Sequence, residues 1–296
     1  DEMNERFLII NADDFGLCES MNQAICELFR LGAITSSSIL SPAPMAMNAC
    51  RYAKEGSFPV GVHWTLFSEW KEECWMPADK EKRDSSLTVN GLLPADGGAA
   101  AKRAVSGDVT WELEAQYRFM TDAGCTPDHA DSHGGTLYGI NGRLFFLNAF
   151  RLCQKYCLPF RFARSPAFLE RQFGGKVSPA LKAAHAAVCF LADRMKVSLP
   201  DDFITHPLPV EKIRDYEALC SYYEEQLAAA PAGISEVFLH PSVPDPVLSL
   251  RTPQWKKREW EYEFLKSGRL NRFLEKEGFR LVSWKSAPFP CKKESL

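Results

Sequence analysis

The run Phe7-Leu8-Ile9-Ile10 is apolar at every position and ends in Asn11-Ala12-Asp13-Asp14-Phe15-Gly16. An alternating strand keeps one face for water, whereas an unbroken apolar run is covered on both faces, as in the interior of a parallel sheet. Two adjacent acids then stand at the carboxyl end of a buried strand, where α/β proteins place their chemistry.

The rest of the chain repeats that theme. Strand-like runs near 7–12, 34–41, 59–66, 126–133, 159–163, 202–205, 234–240 and 279–284 alternate with helical patterns over 19–31, 111–123, 142–156, 179–195, 209–230 and 254–277. Alternation of this kind predicts a single parallel α/β domain over 1–296. Eight strands in 296 residues match a (β/α) barrel, with a doubly wound open sheet as the alternative. The segment 67–107, after the strand that carries His63, is long and rich in Trp, Gly and charge. It is expected either as a lid over the same face as the acids or as a surface excursion.

Composition narrows the function classes. A net charge of −3 gives no electrostatic footprint for nucleic acid or an anionic membrane, and no stretch is apolar for the length of a membrane span. Ten cysteines are scattered without a CxxC pair, the pattern of reduced core thiols in a cytoplasmic protein. The cluster Lys256-Lys257-Arg258 reads as a solvated helix face, with Trp255 and Trp260 turned inward. Homodimerisation is an expectation carried by base rate alone.

Four of the six histidines lie at predicted strand ends. His63 ends Val60-Gly61-Val62-His63, and His240 ends Val237-Phe238-Leu239-His240 just before Pro241 stops the strand. In Asp128-His129-Ala130-Asp131-Ser132-His133, the residues His129, Asp131 and His133 fall two apart, so an extended chain turns all three to one face. Burying such a row is costly unless its members are paired or coordinated. His185, in an alanine-rich helix, is expected to be structural.

Two imidazoles and one carboxylate make a common divalent-metal site for activating water, here Asp14, His63 and His133. Asp13 beside them would be the general base. Side chains alternate along a strand, so the two acids are expected to point apart, which disfavours a glycosidase in which both flank one bond.

Asn11-Ala12-Asp13-Asp14-Phe15-Gly16, Gly61-Val62-His63, His129-Ala130-Asp131-Ser132-His133 and Leu239-His240-Pro241 together resemble the YdjC-like carbohydrate deacetylases, which include the chitooligosaccharide deacetylases. The resemblance covers almost the whole chain, and four motifs in family order make it specific. It implies a TIM-barrel-like fold of the glycoside hydrolase/deacetylase type and metal-dependent removal of acetyl from N-acetylated sugars. Asp14, His63 and His133 then look like the metal ligands and Asp13 like the catalytic base. His240 looks like the general acid or its orienting partner, and Arg161 looks like a group that holds Asp13 or the substrate. Asp131 and His129 are expected to orient the site or touch substrate, and a backbone N–H near Thr65 to meet the oxyanion. The family suggests one Mg²⁺, while ligand softness suits Zn²⁺ or Co²⁺. The chain departs from the pattern at Gly135 and Leu137, where relatives carry further histidines, and at Trp64, which could offer a stacking face to a sugar or pack in the core.

Overall fold

The computed structural model describes residues 4–290. Its seven strands are β1 (Arg6–Phe15), β2 (Ser36–Ile39), β3 (Val60–Trp64), β4 (Ala130–Ser132), β5 (Asp202–Ile204), β6 (Gly233–Leu239) and β7 (Phe279–Leu281). All pair in parallel in the order β4-β3-β2-β1-β6-β5. The unbroken apolar run makes β1 central, as its hydrophobicity requires. One edge of β1 meets β6 from Arg6 to Ala12, and the other is shared by β7 at Arg6–Leu8 and β2 from Asn11 onward.

The sheet curls into a barrel-like ring whose last gap, between β4 and β5, is closed by the irregular segment 159–165. Ala130 N–H donates to Pro159 O (3.0 Å), Arg161 N–H to Ala130 O (3.0 Å), and Phe160 N–H to Ser198 O (2.9 Å). A full strand was expected at 159–163, but only one bridge forms there, Ala130 to Phe160. Pro159 has no N–H to give, and Phe162 N–H turns back onto Phe160 O, so no ladder can propagate.

Eleven helices connect the described strands: α1 (Glu19–Arg30), α2 (Ala46–Gly56), α3 (Gly97–Arg103), α4 (Ser106–Asp122), α5 (Phe146–Tyr156), α6 (Ala167–Phe173), α7 (Pro179–Arg194), α8 (Tyr216–Ala228), α9 (Pro246–Arg251), α10 (Trp255–Lys266) and α11 (Arg269–Lys276). The continuous helix expected over 254–277 breaks in two because Gly268 takes a left-handed φ of 74°. Side chains of alternate parity on β1, such as Ile10 and Ala12, pack outward under the helices. Among the described cysteines none is in a disulfide, and five are buried, while Cys157 is exposed. Cys291 lies outside the described residues. No described helix is long and apolar enough to cross a membrane.

The ring interior is layered. At its base Ile9, Ile234 and Trp284 form an apolar plug, and the His129 ring stacks on Trp284 at 4.5 Å between centroids. Gly61 makes that stack possible, because a Cβ there would lie 2.3 Å from the His129 ring. Above the plug the interior turns polar, with Asn11, Ser38, Asp131, Arg161 and Glu236 all buried.

Candidate metal centre and active site

The bulge that ends β1 decides where the two acids point. The register with β2 steps from Ala12↔Ser37 to Phe15↔Ile39, so β1 fits one extra residue into that span, and Asp14 takes a left-handed φ of 65°. Strict alternation therefore fails at this position. Both carboxylates reach the carboxyl-end mouth of the ring, contrary to the expectation that they point apart. Asp13 faces a large cavity and Asp14 faces the two histidines.

Asp14 Oδ1 lies 3.1 Å from His63 Nε2 and 3.1 Å from His133 Nδ1, and those two nitrogens are 3.2 Å apart. A four- to six-coordinate ion bound at about 2.1 Å spaces its donors roughly 2.9–3.4 Å apart, so the triangle fits a divalent cation without rearrangement. The donor chemistry fits too. His63 Nδ1 pairs with Asp131 Oδ1 (2.6 Å), His133 Nε2 with Glu69 Oε2 (2.8 Å), and Arg258 Nη1 donates to Asp14 Oδ2 (3.1 Å). Each possible ligand is thus held by an outer partner, the arrangement that fixes imidazole orientation in metal sites.

Burial works against charge at all three positions, and the mutual pairing overrides it. The carboxylates of Asp131 and Asp14 raise His63 to about 10, and those of Asp14 and Glu69 raise His133 to about 9. Asp14 is held well below the usual carboxylate range by His133 and His63 against the penalty of burial. Compensated charge concentrated in a cleft is a common property of functional sites.

Arg161 is the second centre. Its guanidinium, buried in the ring, grips Asp13 through two bonds of 2.7 Å, Glu236 through Nε (2.9 Å) and Nη2 (2.7 Å), and approaches Asp131 Oδ2 at 3.1 Å. Asn11 Nδ2 adds a bond of 2.8 Å to Asp13 Oδ1. Three carboxylates exceed one guanidinium, and burial pushes Glu236 up to about 7 even against Arg161. Asp131 bridges the two centres, with Oδ1 on His63 and Oδ2 on Arg161, and its Oδ2 also meets His129 Nε2 at 3.2 Å. His129, wholly buried, therefore sits below the site as an anchor of Asp131.

His240 stands at the mouth with its ring 31% exposed, Nε2 3.7 Å from Asp13 Oδ2. Its backbone N–H donates to Glu261 Oε2 (2.6 Å), which fixes the residue on the rim.

Several expectations are corrected. Trp64 is wholly buried, donates from Nε1 to Leu113 O (2.9 Å) and packs toward Phe160, so it offers no face to a sugar. The Thr65 N–H is taken by Gln116 Oε1 (3.1 Å) and is not free for an oxyanion. The helix face at 256–258 is not simply solvated. Arg258 is buried on Asp14 and near Glu69, and Lys257 Nζ caps His206 O and Leu208 O at 2.8 Å each. Leu137 is buried in the core, whereas Gly135 lines the large cavity with a φ of 65°. His185 is buried with Nε2 on Ala163 O (2.7 Å), the structural setting expected of it, although one side of it also lines the cavity.

Glu69, Arg258, Glu236 and Glu261 were not anticipated. Three of them carried a readable signal. Glu236 is a lone acid inside an apolar strand, which demands a buried partner. Arg258, Glu261 and Leu265 fall at helical spacing on one face of α10, and all three are buried.

Comparison with known proteins places the chain. The family model for YdjC-like proteins matches residues 7–276. A carbohydrate deacetylase of Geobacillus stearothermophilus is 35% identical over 162 residues, 54% of this chain and 61% of that protein. A carbohydrate deacetylase of Enterococcus faecalis is 25% identical over 286 residues, 96% of this chain and 99% of that one. The crystal structure of a putative cellobiose-phosphate cleavage protein from Enterococcus faecalis superposes with a TM-score of 0.75 at 24% identity, covering 95% of this chain and 98% of that one. That likeness confirms the barrel-like α/β fold. With its family model matched over nearly its whole length, the chain belongs to the YdjC-like family.

Proposed function

We propose that the protein is a metal-dependent hydrolase that removes an acyl group from the nitrogen of an amino sugar or short oligosaccharide. The observation that carries this reading is the Asp14–His63–His133 triangle with Asp13 and His240 beside it at one mouth. The names of the two deacetylase relatives agree with it, and chitooligosaccharide-like substrates are the finer expectation.

Asp14, His63 and His133 would hold a divalent ion, which would supply a Lewis acid for the amide carbonyl and a more acidic water. Mg²⁺ follows from the family resemblance, and Zn²⁺ or Co²⁺ from the imidazole donors. Asp13 takes the proton of the attacking water. Arg161 and Asn11 hold its carboxylate in one orientation while leaving it open to the cavity. His240 hands a proton to the departing nitrogen, its position set by Glu261. Asp131 and Glu69 orient the imidazoles. A carbohydrate-binding protein without turnover would leave these partnered acids without work, whereas a hydrolase of another acylated sugar would use them in the same roles.

The test is release of free amine from N-acylated mono- and oligosaccharides by protein supplied with Mg²⁺, Zn²⁺ or Co²⁺ in turn. Turnover abolished by a chelator and restored by one metal supports the reading. No turnover on any such sugar with any of the three ions sinks it.

A further inference from the structure

The triad and Asp13 lie between two cavities of opposite character. The smaller, about 260 Å³, is walled by Glu69, Gln254, Lys257, Arg258 and Glu261 on the side of Asp14 and His133. The larger, about 460 Å³, begins at Asp13, His63, Arg161 and His240. It runs outward between α5, α6 and α7 over Phe146, Phe162, Phe168, Leu181, Val188 and Phe238. Phe238 also lies under the Arg161 guanidinium, 4.0 Å from its Cζ to the ring centroid. His240 lines both cavities and so marks the border between them.

Beyond its inner end at Asp13, Arg161 and His240, the large cavity has few groups to offer a hydroxyl, chiefly Gln172 and Thr205. His185 Nε2 is tied to Ala163 O, and Ser132 Oγ accepts from Leu137 N–H. His206 Nδ1 accepts from Leu208 N–H (3.3 Å). Most sugar hydroxyls spread over this aromatic and aliphatic lining would lose water without finding a partner, whereas each methylene gains from burial. The outer rim repeats the message, since Ile140, Leu144 and Phe173 stand 61%, 64% and 64% exposed around it. Side chains of this size left in water at the opening of a pocket mark a surface that an apolar ligand covers. An acetyl methyl would leave most of the space empty.

We propose that the acyl group removed by this protein is a medium-chain one, with its tail in the apolar cavity and the sugar in the polar cavity. This rests on the hydrolase reading above and specifies its substrate. The amide C–N bond breaks and a C–O bond forms between the acyl carbon and the oxygen of water. One water proton goes to the nitrogen, the second follows as the new acid ionises, and the products are a medium-chain carboxylate and an ammonium sugar.

The test compares N-acetyl-, N-butanoyl-, N-hexanoyl- and N-octanoylglucosamine on metal-loaded protein. The expected kcat/KM rises with chain length, by about fourfold per methylene until the cavity fills. Val188→Trp, which narrows the distal part, should lower the octanoyl-to-acetyl ratio of kcat/KM at least about tenfold. A second measurement needs neither turnover nor a variant. On chelator-treated wild-type protein, octanoate should bind at least about tenfold tighter than acetate, with a negative heat-capacity change. A best rate with acetyl, together with octanoate binding no tighter than acetate, overturns the chain-length inference and leaves the hydrolase reading standing. Preference for the octyl glycoside of N-acetylglucosamine over N-octanoylglucosamine puts the tail on the sugar and also overturns it. Failure of every acyl sugar overturns the hydrolase reading itself.

Discussion

At the scale of single residues, the site is a set of charges that hold one another. Asp13 has the most exacting position, gripped by Arg161 and Asn11 and open to the cavity. Asp13→Asn keeps the shape and removes the basic oxygen, so kcat should fall at least about a hundredfold while the protein stays folded; near wild-type turnover would exclude Asp13 as the base. Arg161→Met tests the other side of the pair. It leaves Asp13, Asp131 and Glu236 without their shared cation and should destabilise the fold by about 3–5 kcal/mol, read as a lowered denaturant midpoint at unchanged slope. Asp14 and His63 were legible in the sequence because each ends a run whose burial can be read from hydrophobicity, and His133 because it alternates with His129 and Asp131 along an extended chain. Glu69 was not, since a loop residue acquires its partner only through tertiary placement. Trp64 misled for a related reason: its neighbour His63 faces the site, and the pleat sends Trp64 the other way.

At the scale of elements, the long segment after β3 shapes the polar side of the site. Phe67 stacks on His133 at 5.1 Å between centroids, and Glu69 holds the same ring. Trp70 and Trp75 are buried, so part of the segment is anchored rather than free. Its next stretch is tied to α4 through Glu112, which accepts from Ala78 N–H (2.8 Å), Asp79 N–H (3.4 Å) and Gln116 Nε2 (2.9 Å). Burial raises Glu112 from 4.5 to about 7. The native state then binds a proton that an opened state releases, so opening becomes easier as pH rises from about 4.5 to about 7 and changes no further outside that window. Limited proteolysis between residues 76 and 84 should accelerate across that window, and Glu112→Gln should flatten the profile; equal slopes in the two proteins would contradict the linkage. Unchanged cleavage with and without a sugar ligand would count against the segment as a lid. Gly61→Ala is a packing test on β3. The added methyl meets the His129 ring, which Trp284 backs, and should cost about 1–3 kcal/mol of stability in thermal or chemical denaturation. Element positions were largely readable, but the barrel stave at 159–163 was not, because an apolar run does not reveal whether its N–H groups find a ladder.

For the whole molecule, metal and fold should be thermodynamically linked, since the triad joins residues from β1, the end of β3 and the turn after β4. Saturation to about a hundred times Kd should add about 2.7 kcal/mol to unfolding, seen as a higher melting temperature that a chelator reverses. The double variant His63→Ala/His133→Ala should show no such rise. Elemental analysis of protein purified without added metal would identify the ion. The parallel ring carries one further consequence, which concerns its assembly during synthesis. Asp13 and Asp14 are made before the other strands of the ring, yet β1 has β6 along one edge and β7 beside its opening residues. Those partners are translated long after β1. Only β2 is at hand early, against β1 from Asn11 onward, so the β6 edge of β1 stays uncovered through much of the chain's elongation, and the nascent protein's demand for chaperone protection should centre on that edge.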